Sequence, residues 1–315
     1  MDLVQLKYFC KVAELKSFTQ AASALHVAQP AITRQIQLLE DELGVQLLFR
    51  HSRGAEPTEE GIRLKDGADS IFRLISQTRA DVVACSTTAT GNLRIGFPPS
   101  IGDLLIGSTV AAYRKLHPNV SLSLHEGYSH ALRDALLADK LDLAILTGTK
   151  PNPLLQTQHL CDEHLWFIEP TDGAPYLKGS TFDFAEIAKR SLVQPGMNNT
   201  VRKLLERKAA ESGVTLNVDV EAEALHVIKG LVQRGVGSHV SPYSAVSQDI
   251  ENGQFSGGPI AGLSVARFLA RRIDRPSNLA LQRFQALIVE QLSGLARLAG
   301  GAIVLATSLR ATREA

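Results

Sequence analysis

Apolar residues near the start of the chain recur every three or four positions in three separate stretches. In chain order, these positions are Leu3, Leu6, Phe9, Cys10 and Ala13; Phe18, Ala21, Ala22 and Leu25; and Ile32, Ile36, Leu39 and Leu43. This period predicts three helices, each with one buried face. Ser17 precedes Gln20 at the capping-box spacing of a helix start, and Gly44 favours a helix end.

The segment between the second and third helices has the length of a tight turn. Residues 26–28 carry no helical period, and Pro30 follows where a first helical turn accepts proline. The third helix opens with small and polar residues, which leave room for base edges in a major groove. Residues 45–49 then predict a strand, and residues 50–54 a hairpin tip with two arginines. The pattern predicts a winged helix-turn-helix, with a plain solvated loop as the alternative for the tip.

A long helix is predicted after Thr58, whose side chain suits an N-cap, with Glu59 and Glu60 near its positive end. One set of its positions alternates in steps of four and three: Leu64, Ala68, Ile71, Ile75, Thr78 and Val82. Such a heptad seam predicts pairing with a second copy of the helix. The alternative is a helix packed on its own domain. Small polar residues at 86–92 predict a hinge.

Beyond the hinge, short apolar runs alternate with helical patterns. The predicted strands are 93–97, 120–124, 141–146, 165–168, 191–194, 216–220, 237–241 and 265–270. The predicted helices are 101–116, 130–138, 200–211, 222–234 and 276–292. This βαβα order predicts parallel sheets covered by helices, in two α/β subdomains joined by two crossing strands. A cleft is expected between the subdomains. The tail, 296–315, is left open as a strand, an added helix or a frayed end.

Hydroxyl- and amide-rich segments stand at the strand ends of these subdomains. Ligands of open α/β sheets bind at the carboxyl ends of strands, where helix N-termini offer free amides. The residues expected to line an effector site are Ser100, Ile101, Tyr128, Ser129, Thr147, Thr149, Asn199, Thr200, His239 and Ser241. For any one of them, a plain helix cap or a structural role is the alternative. As a group they predict a small-molecule effector, and their hydroxyl groups suggest an organic acid.

Composition and net charge indicate the general class of protein but do not indicate its function. The chain has 315 residues, of which 44% are hydrophobic and 21% charged, and its formal net charge is +1. These values indicate a globular protein of about two domains. The net charge gives no support for DNA binding, so that prediction depends on where the basic residues lie. No signal-peptide pattern and no apolar run of ~20 residues is present, which predicts a cytoplasmic protein without a membrane span.

Metal and catalytic chemistry have little support in the sequence. Cys10, Cys85 and Cys161 lack paired spacing, so neither a zinc site nor a disulfide framework nor another cofactor is predicted. The histidines show no ligand spacing, and no G-x-S-x-G, P-loop or G-x-G-x-x-G motif occurs. An enzyme is therefore not expected. The competing hypothesis is a solute-binding protein or small-molecule enzyme of the α/β cleft type with an accessory N-terminal domain.

The helix-turn-helix region carries a motif of high specificity. It comprises Ala21-Ala22-x-x-Leu25, Gln29-Pro30-Ala31-Ile32-Thr33-Arg34-Gln35-Ile36, Leu39-Glu40-x-x-Leu43-Gly44, Arg50, Arg53-Gly54 and Thr58-Glu59-x-Gly61. In these residues, and in length and domain order, the chain resembles the LysR-type transcriptional regulators. Ala28 departs from the family pattern, because a serine able to cap the recognition helix usually stands there. Leu48-Phe49 and Pro57 also depart from it.

The resemblance implies a fold class and a set of partners. The expected fold is α/β, with an N-terminal winged helix-turn-helix dominated by helices, a long linker helix, and a two-subdomain effector domain of the periplasmic-binding-protein type. The expected boundaries are 1–58 for the DNA-binding domain, 59–90 for the linker helix and hinge, 91–293 for the effector domain (subdomain I 91–165 and 270–293, subdomain II 166–269) and 294–315 for the tail. A homodimer or homotetramer on double-stranded promoter DNA is implied, with RNA polymerase as a further partner.

The residues expected to contact DNA are Gln20, Gln29, Pro30, Thr33, Arg34, Arg50 and Arg53. Gln29 and Arg34 carry the amide and guanidinium forks that read adenine and guanine edges. Thr33 suits a phosphate or a thymine methyl group, and Gln20 suits a phosphate. The two arginines of the hairpin tip suit the minor groove or a phosphate.

Overall fold

The computed structural model describes residues 1–51, 54–83, 89–148, 150–171, 181–275 and 277–310. The chain forms two compact units, Met1–Cys85 and Ser86–Ala315, and each is described by itself. Among the described residues, no helix is both long and apolar enough to cross a membrane.

The first unit consists of short helices, a hairpin and a long helix. Their bounds are α1 Leu3–Leu15, α2 Phe18–Leu25, α3 Gln29–Leu43, β1 Leu48–His51, β2 Gly54–Pro57 and α4 Glu59–Val83. The core uses the apolar positions of the helical period, since Phe9, Ile32, Ile36 and Leu39 are fully buried. The predicted helices, hairpin and long helix are confirmed.

The hairpin begins at Leu48, later than the predicted strand 45–49, because a buried carboxylate holds the preceding segment. Glu40 Oε1 accepts hydrogen bonds from the backbone N–H groups of Leu47 at 2.8 Å and Leu48 at 3.2 Å. The backbone that precedes β1 is thereby tied to α3 instead of pairing as a strand. Arg50 lies opposite Ala55 in the hairpin.

The start of α4 is packed tightly against the residues before the hairpin. Thr58 is the predicted N-cap: its Oγ1 accepts from the Gly61 N–H at 3.0 Å and donates to the Gln46 carbonyl at 2.8 Å. A Cβ atom on Gly61 would lie 2.1 Å from the Leu47 carbonyl oxygen. Only glycine fits there, which explains why the motif of this region ends on it.

The start of α3 lacks a side-chain cap, as the alanine at position 28 predicts. Ala28 makes no side-chain cap hydrogen bond, whereas Ser17 Oγ accepts from the Gln20 N–H at the start of α2. We expect Ala28→Ser to raise the free energy of unfolding of the first unit by about 1 kcal/mol, because the new hydroxyl accepts from a free N–H of α3. Urea unfolding measures this change. Ser23→Ala, on the exposed surface of α2, serves as a control, and no gain from Ala28→Ser would contradict the prediction.

The second unit alternates strands and helices along the chain. Its strands are β3 Gly91–Phe97, β4 Val120–Glu126, β5 Leu143–Thr147, β6 Leu155–Pro170, β7 Ser191–Gln194, β8 Asn217–Glu221, β9 His239–Pro242, β10 Phe255–Arg272 and β11 Ile303–Leu305. Its helices are α5 Ser108–Leu116, α6 Ser129–Leu137, α7 Phe184–Ile187, α8 Thr200–Glu211, α9 Leu225–Gln233, α10 Tyr243–Glu251, α11 Leu279–Leu298 and α12 Thr307–Arg310.

A seven-stranded mixed sheet carries most of this unit. The strand order is β11-β6-β10-β5-β3-β4, and β9 pairs with β6. Strand β3 is parallel to β4 and β5, as the βαβα order predicts. Strands β7 and β8 form a separate parallel pair. The carboxyl ends of β3, β4 and β5 therefore meet at one edge of the large sheet, and that of β7 lies in the small sheet.

Two strands are far longer than predicted. The predicted strands 165–168 and 265–270 are the apolar parts of β6 and β10, which pair with each other in antiparallel register over most of their lengths. The remaining parts contain polar and exposed residues, so an apolar run does not mark them. A Cβ atom on Gly257 would lie 2.1 Å from the Phe167 carbonyl oxygen, which shows how closely the two backbones approach.

Several other boundaries differ from the prediction. The predicted helix 101–116 is three segments, a 3-10 turn Pro99–Ile101, a π-helical segment Gly102–Gly107 and α5. Helices α7 and α10 were not predicted. Residues 86–88 of the predicted hinge lie outside the described residues, and residues 91 and 92 belong to β3. The tail contains a strand and a short helix, while α11 extends to Leu298, beyond the predicted end at 292.

Candidate DNA interface and ligand cleft

One face of α3 is polar and exposed, while the opposite face is buried in the core. The residues that line a shallow groove along the exposed face are Gln29, Pro30, Thr33, Arg34, Gln37 and Leu38. The predicted contact residues on α3 therefore lie together. Gln37 and Leu38 were not predicted, although Gln37 lies one helical turn after Thr33 and so shares its face.

A threonine on α2 holds the side chain of Gln29. Thr19 Oγ1 donates to Gln29 Oε1 at 3.1 Å, and Thr33 Oγ1 donates to the Gln29 backbone carbonyl at 3.1 Å. The amide nitrogen of Gln29 is left to donate, and its oxygen keeps a second lone pair. Because the Thr33 hydroxyl already donates its hydrogen to this carbonyl, it has no hydrogen left to donate to a phosphate. This geometry favours the thymine contact over the phosphate contact for Thr33.

If Gln29 contacts a base as predicted, we expect Thr19→Val to weaken discrimination at that base. Valine keeps the shape of threonine and removes the hydroxyl donor, so the amide rotates more freely before binding. The expected result is a several-fold loss of preference at one position of the operator, consistent with a single neutral hydrogen bond. Binding to a library of operator variants measures it. Thr215→Val, at an exposed threonine of the second unit, is the matched control, and equal profiles for Thr19→Val and wild type would contradict the role of Thr19.

The other predicted DNA contacts lie outside α3. Gln20 is exposed on α2. Arg50 belongs to β1, and its side chain is outside the described part of the chain. Arg53 lies outside the described residues altogether.

A cleft in the second unit is lined by the loops that follow β3, β4, β5 and β7, together with α9 and β9. Its volume is about 550 Å³, including space open to solvent. The lining residues are Pro98, Pro99, Ser100, Tyr128, Ser129, Thr147, Pro195, Asn199, Thr200, Val201, Leu225, Ile228, His239, Val240, Ser241 and Pro242. The polar members are residues predicted from the sequence, and the apolar members were not predicted.

A buried ion pair that the sequence pattern does not predict lies next to the cleft. Arg267 on β10 and Glu163 on β6 are each 2% exposed. Arg267 Nε lies 2.7 Å from Glu163 Oε2, and Nη2 lies 2.6 Å from the same oxygen. The guanidinium also donates to Ser100 Oγ at 2.8 Å and to the Thr147 hydroxyl. In the sequence, Arg267 interrupts an apolar run, whereas Glu163 stands between Asp162 and His164 and gives no such signal.

The helix starts at the cleft use their capping groups in different ways. Ser129 Oγ, at the start of α6, accepts from the Thr147 N–H at 2.8 Å and so joins two loops of the cleft. Asn199 Oδ1 accepts from the Val201 and Arg202 N–H groups at 2.8 and 3.2 Å, which is a plain N-cap of α8. The oxygen of Asn199 therefore has a helix-capping role, which was the alternative to ligand contact. The amide nitrogen of Asn199 is not needed for the cap.

His239 is a neutral imidazole in the wall of the cleft. Its Nδ1 lies 2.8 Å from the Val193 carbonyl oxygen, which only accepts, so Nδ1 carries the hydrogen. Burial lowers the pKa of His239 from 6.5 to about 4. At neutral pH, Nε2 is therefore unprotonated and acts as a hydrogen-bond acceptor.

Tyr128 joins the loop before α6 to the loop before α9. Its hydroxyl donates to the backbone carbonyl of Glu223. Burial, more than the charge of Glu223, raises the pKa of Tyr128 to about 12, so the hydroxyl stays a donor at neutral pH. This bond connects two walls of the cleft.

Two predicted effector residues are not placed in the cleft. Ile101 is 4% exposed and packs in the main apolar core, where it lines a separate cavity of about 340 Å³. Ile101 was predicted to contact the effector because it follows Ser100 in the sequence. Its aliphatic side chain instead turns into the core. Thr149 lies outside the described residues. Within the described ranges, no cluster of histidine, cysteine or carboxylate side chains forms a metal site.

Both units match models of one protein family. Residues 3–62 match the bacterial regulatory helix-turn-helix protein, lysR family. Residues 86–293 match the LysR substrate binding domain.

Relatives and solved structures give the same assignment. The nitrogen assimilation regulatory protein nac of Klebsiella aerogenes is 32% identical over 246 residues, covering 78% of this chain and 79% of that protein. The DNA-binding transcriptional dual regulator OxyR of Escherichia coli K12 is 29% identical over 246 residues, covering 78% and 80%. Full-length CbnR in complex with its target DNA has the same fold, with a TM-score of 0.68 at 23% identity over 92% of this chain and 100% of that chain. The chain therefore belongs to the LysR family of DNA-binding transcriptional regulators, with a helix-turn-helix domain followed by an effector-binding domain.

Proposed function

We propose that the exposed face of α3 reads promoter DNA and that the cleft of the second unit binds the effector that controls regulation. The observation that carries the first part is the polar groove along α3, above a face packed in the core. Gln29 and Arg34 offer the forks for adenine and guanine edges, and Gln37 extends the same surface. Gln20, Arg50 and Arg53 remain proposed phosphate or minor-groove contacts.

Pairing of two α4 helices is proposed to form the homodimer. Ala68 is buried within the first unit, whereas Ile71, Leu74 and Ile75 are 37%, 46% and 40% exposed. Exposed aliphatic residues at these spacings favour a partner helix over packing on the same domain. The two DNA-binding domains of such a dimer match the two half-sites of a palindromic operator. A tetramer, and contact with RNA polymerase at the promoter in the cytoplasm, are proposed from family membership.

Effector control is proposed to act through the angle between the two walls of the cleft. A ligand shifts such an equilibrium only through its different affinity for the two arrangements. The Tyr128 hydroxyl donates to the Glu223 carbonyl across the cleft, and this bond is proposed to break when the angle between the walls changes. The change then alters how the oligomer is spaced on DNA.

A second candidate is a response to peroxide through cysteine oxidation, because one relative is named a hydrogen peroxide-inducible genes activator in Escherichia coli O157:H7. The thiols of this chain do not favour it. Burial raises the pKa of Cys161 to about 12 and that of Cys10 to about 11, so neither forms the reactive thiolate at neutral pH. Cys85 lies outside the described residues. Ligand binding in the cleft is the better-supported mode of control.

A reporter experiment tests whether DNA binding and effector sensing use separate sites. The promoter next to the gene for this protein is fused to a reporter, and its output is compared across media with different carbon and nitrogen sources. We expect Arg34→Ala to abolish regulation in every medium, and Ser129→Trp, which fills the cleft, to abolish the difference between media. Promoter retention by each variant is measured in parallel. Loss of DNA retention in Ser129→Trp together with loss of the response would contradict separate reading and sensing sites.

A further inference from the structure

On one wall of the cleft, three hydroxyl oxygens each accept a hydrogen bond from an N–H group of the protein. Ser100 Oγ accepts from Arg267 Nη2 at 2.8 Å, and the Thr147 hydroxyl oxygen accepts from Arg267 Nη1. Ser129 Oγ accepts from the Thr147 N–H at 2.8 Å. Guanidinium and amide N–H groups only donate, so each hydroxyl keeps its own hydrogen. No residue in the described part of the chain accepts these hydrogens, and the wall therefore presents O–H donors to an occupant.

The opposite polarity is found on the wall formed by β9. The Nδ1–H of His239 is used by the Val193 carbonyl, which leaves the Nε2 lone pair as an acceptor. His239 lines the cleft, and no described residue bonds its Nε2. One wall thus needs an acceptor from the ligand, and the other wall needs a donor.

The charge around the cleft suits a single negative charge. None of the lining residues is lysine or arginine, and the charge of Arg267 is balanced by Glu163. Helices α6, α8 and α9 begin at lining residues, and their N-termini add partial positive charge. Hydroxyl donors and helix starts stabilise a carboxylate. A phosphate dianion calls for a free cation, which this lining does not offer.

We propose that the effector is a small monocarboxylic acid that carries a hydroxyl or amino group, with its carboxylate on Ser100, Ser129 and Thr147 and its O–H or N–H on His239. This inference rests on the proposed function of the cleft. Arg267 is a positioning residue in it, because it fixes the direction of two of the hydroxyl groups without lining the cleft itself.

Matched compounds test the polarity of the cleft. The probes are 3-hydroxypropanoate, 4-hydroxybutanoate, 5-hydroxypentanoate and 4-aminobutanoate, each beside the acid without its hydroxyl or amino group and beside its methyl ester. Binding to the full chain is measured by calorimetry. We expect at least one probe to bind, its ester to bind about tenfold more weakly or worse, and the plain acid to bind several-fold more weakly.

Variants assign the two ends of the ligand. Thr147→Val removes one O–H donor and is expected to weaken binding of the acid about tenfold, while Thr157→Val, an exposed threonine on β6, leaves it unchanged. His239→Asn keeps a donor for the Val193 carbonyl but places no acceptor at the position of Nε2, so the hydroxy acid and the plain acid should bind equally. Esters that bind as tightly as acids, or a His239→Asn protein that still prefers the hydroxy acid, would overturn the inference. Absence of binding by every probe, with promoter binding retained, overturns the inference alone, whereas absence of promoter binding overturns the proposed function.

Discussion

Replacing Arg267 by leucine is expected to destabilise the second unit by about 3–5 kcal/mol, because it leaves a buried carboxylate without its partner. Glu163 is 2% exposed, and among the described residues it would keep the Ser244 N–H, which donates to its Oε1 at 2.6 Å. The Ser100 and Thr147 hydroxyl groups lose their donor at the same time. Urea unfolding of the full chain, followed by circular dichroism, gives the change in free energy of unfolding.

Two controls separate charge burial from loss of packing. Arg207→Leu changes an exposed arginine of α8 and is expected to alter stability by less than about 0.5 kcal/mol. The double change Glu163→Leu with Arg267→Leu removes both charges, and we expect it to recover part of the loss. A double variant that is no more stable than Arg267→Leu alone would show that the unpaired carboxylate is not the cause.

The free energy of unfolding is expected to fall by about 3 kcal/mol between pH 6.5 and pH 4 because of His239 alone. Burial lowers the pKa of this imidazole from 6.5 to about 4. In the unfolded chain it binds a proton below pH 6.5, whereas in the native chain it stays neutral until about pH 4. The unfolded state therefore gains protons first as the pH falls, so the stabilising contribution is present above pH 6.5 and is lost through this window.

Unfolding measured at pH 7, 6, 5 and 4 tests this prediction. His239→Gln removes the titrating group, so its stability should change less steeply with pH than that of the wild type. The difference between the two slopes isolates His239 from the other titrating residues. Parallel curves for the two proteins would mean that His239 does not contribute.

The exposed face of α3, which is proposed to read DNA, was predictable because it depends on local pattern. A helical period identifies the buried face, and the exposed face follows from it without knowledge of tertiary contacts. The polar residues of the cleft were also predictable, since Ser100, Ser129 and Thr147 stand at strand ends. What remained hidden depends on long-range pairing: Arg267 and Glu163 are 104 positions apart and meet only when β6 and β10 pair.

The contrast between local pattern and long-range pairing also explains which predictions were wrong in the second unit. Strands β6 and β10 are defined by pairing with each other, so their polar parts give no local signal of a strand. Ile101 was assigned to the cleft by its place in the sequence, but its side chain packs in the core. The bond between Thr19 and Gln29 joins two helices and could not be read from the helical period of either.

Binding of the purified protein to the intergenic DNA beside its own gene, over a salt series, tests the central claim most directly. We predict specific binding whose affinity falls steeply as salt rises, because basic residues that contact phosphates release counterions. Arg34→Ala should lose specific binding, while Arg207→Ala, an exposed arginine of the second unit, should retain it. Equal binding by wild type and Arg34→Ala, or no retention of this DNA even at low salt, would contradict the assignment of α3 as the reading helix.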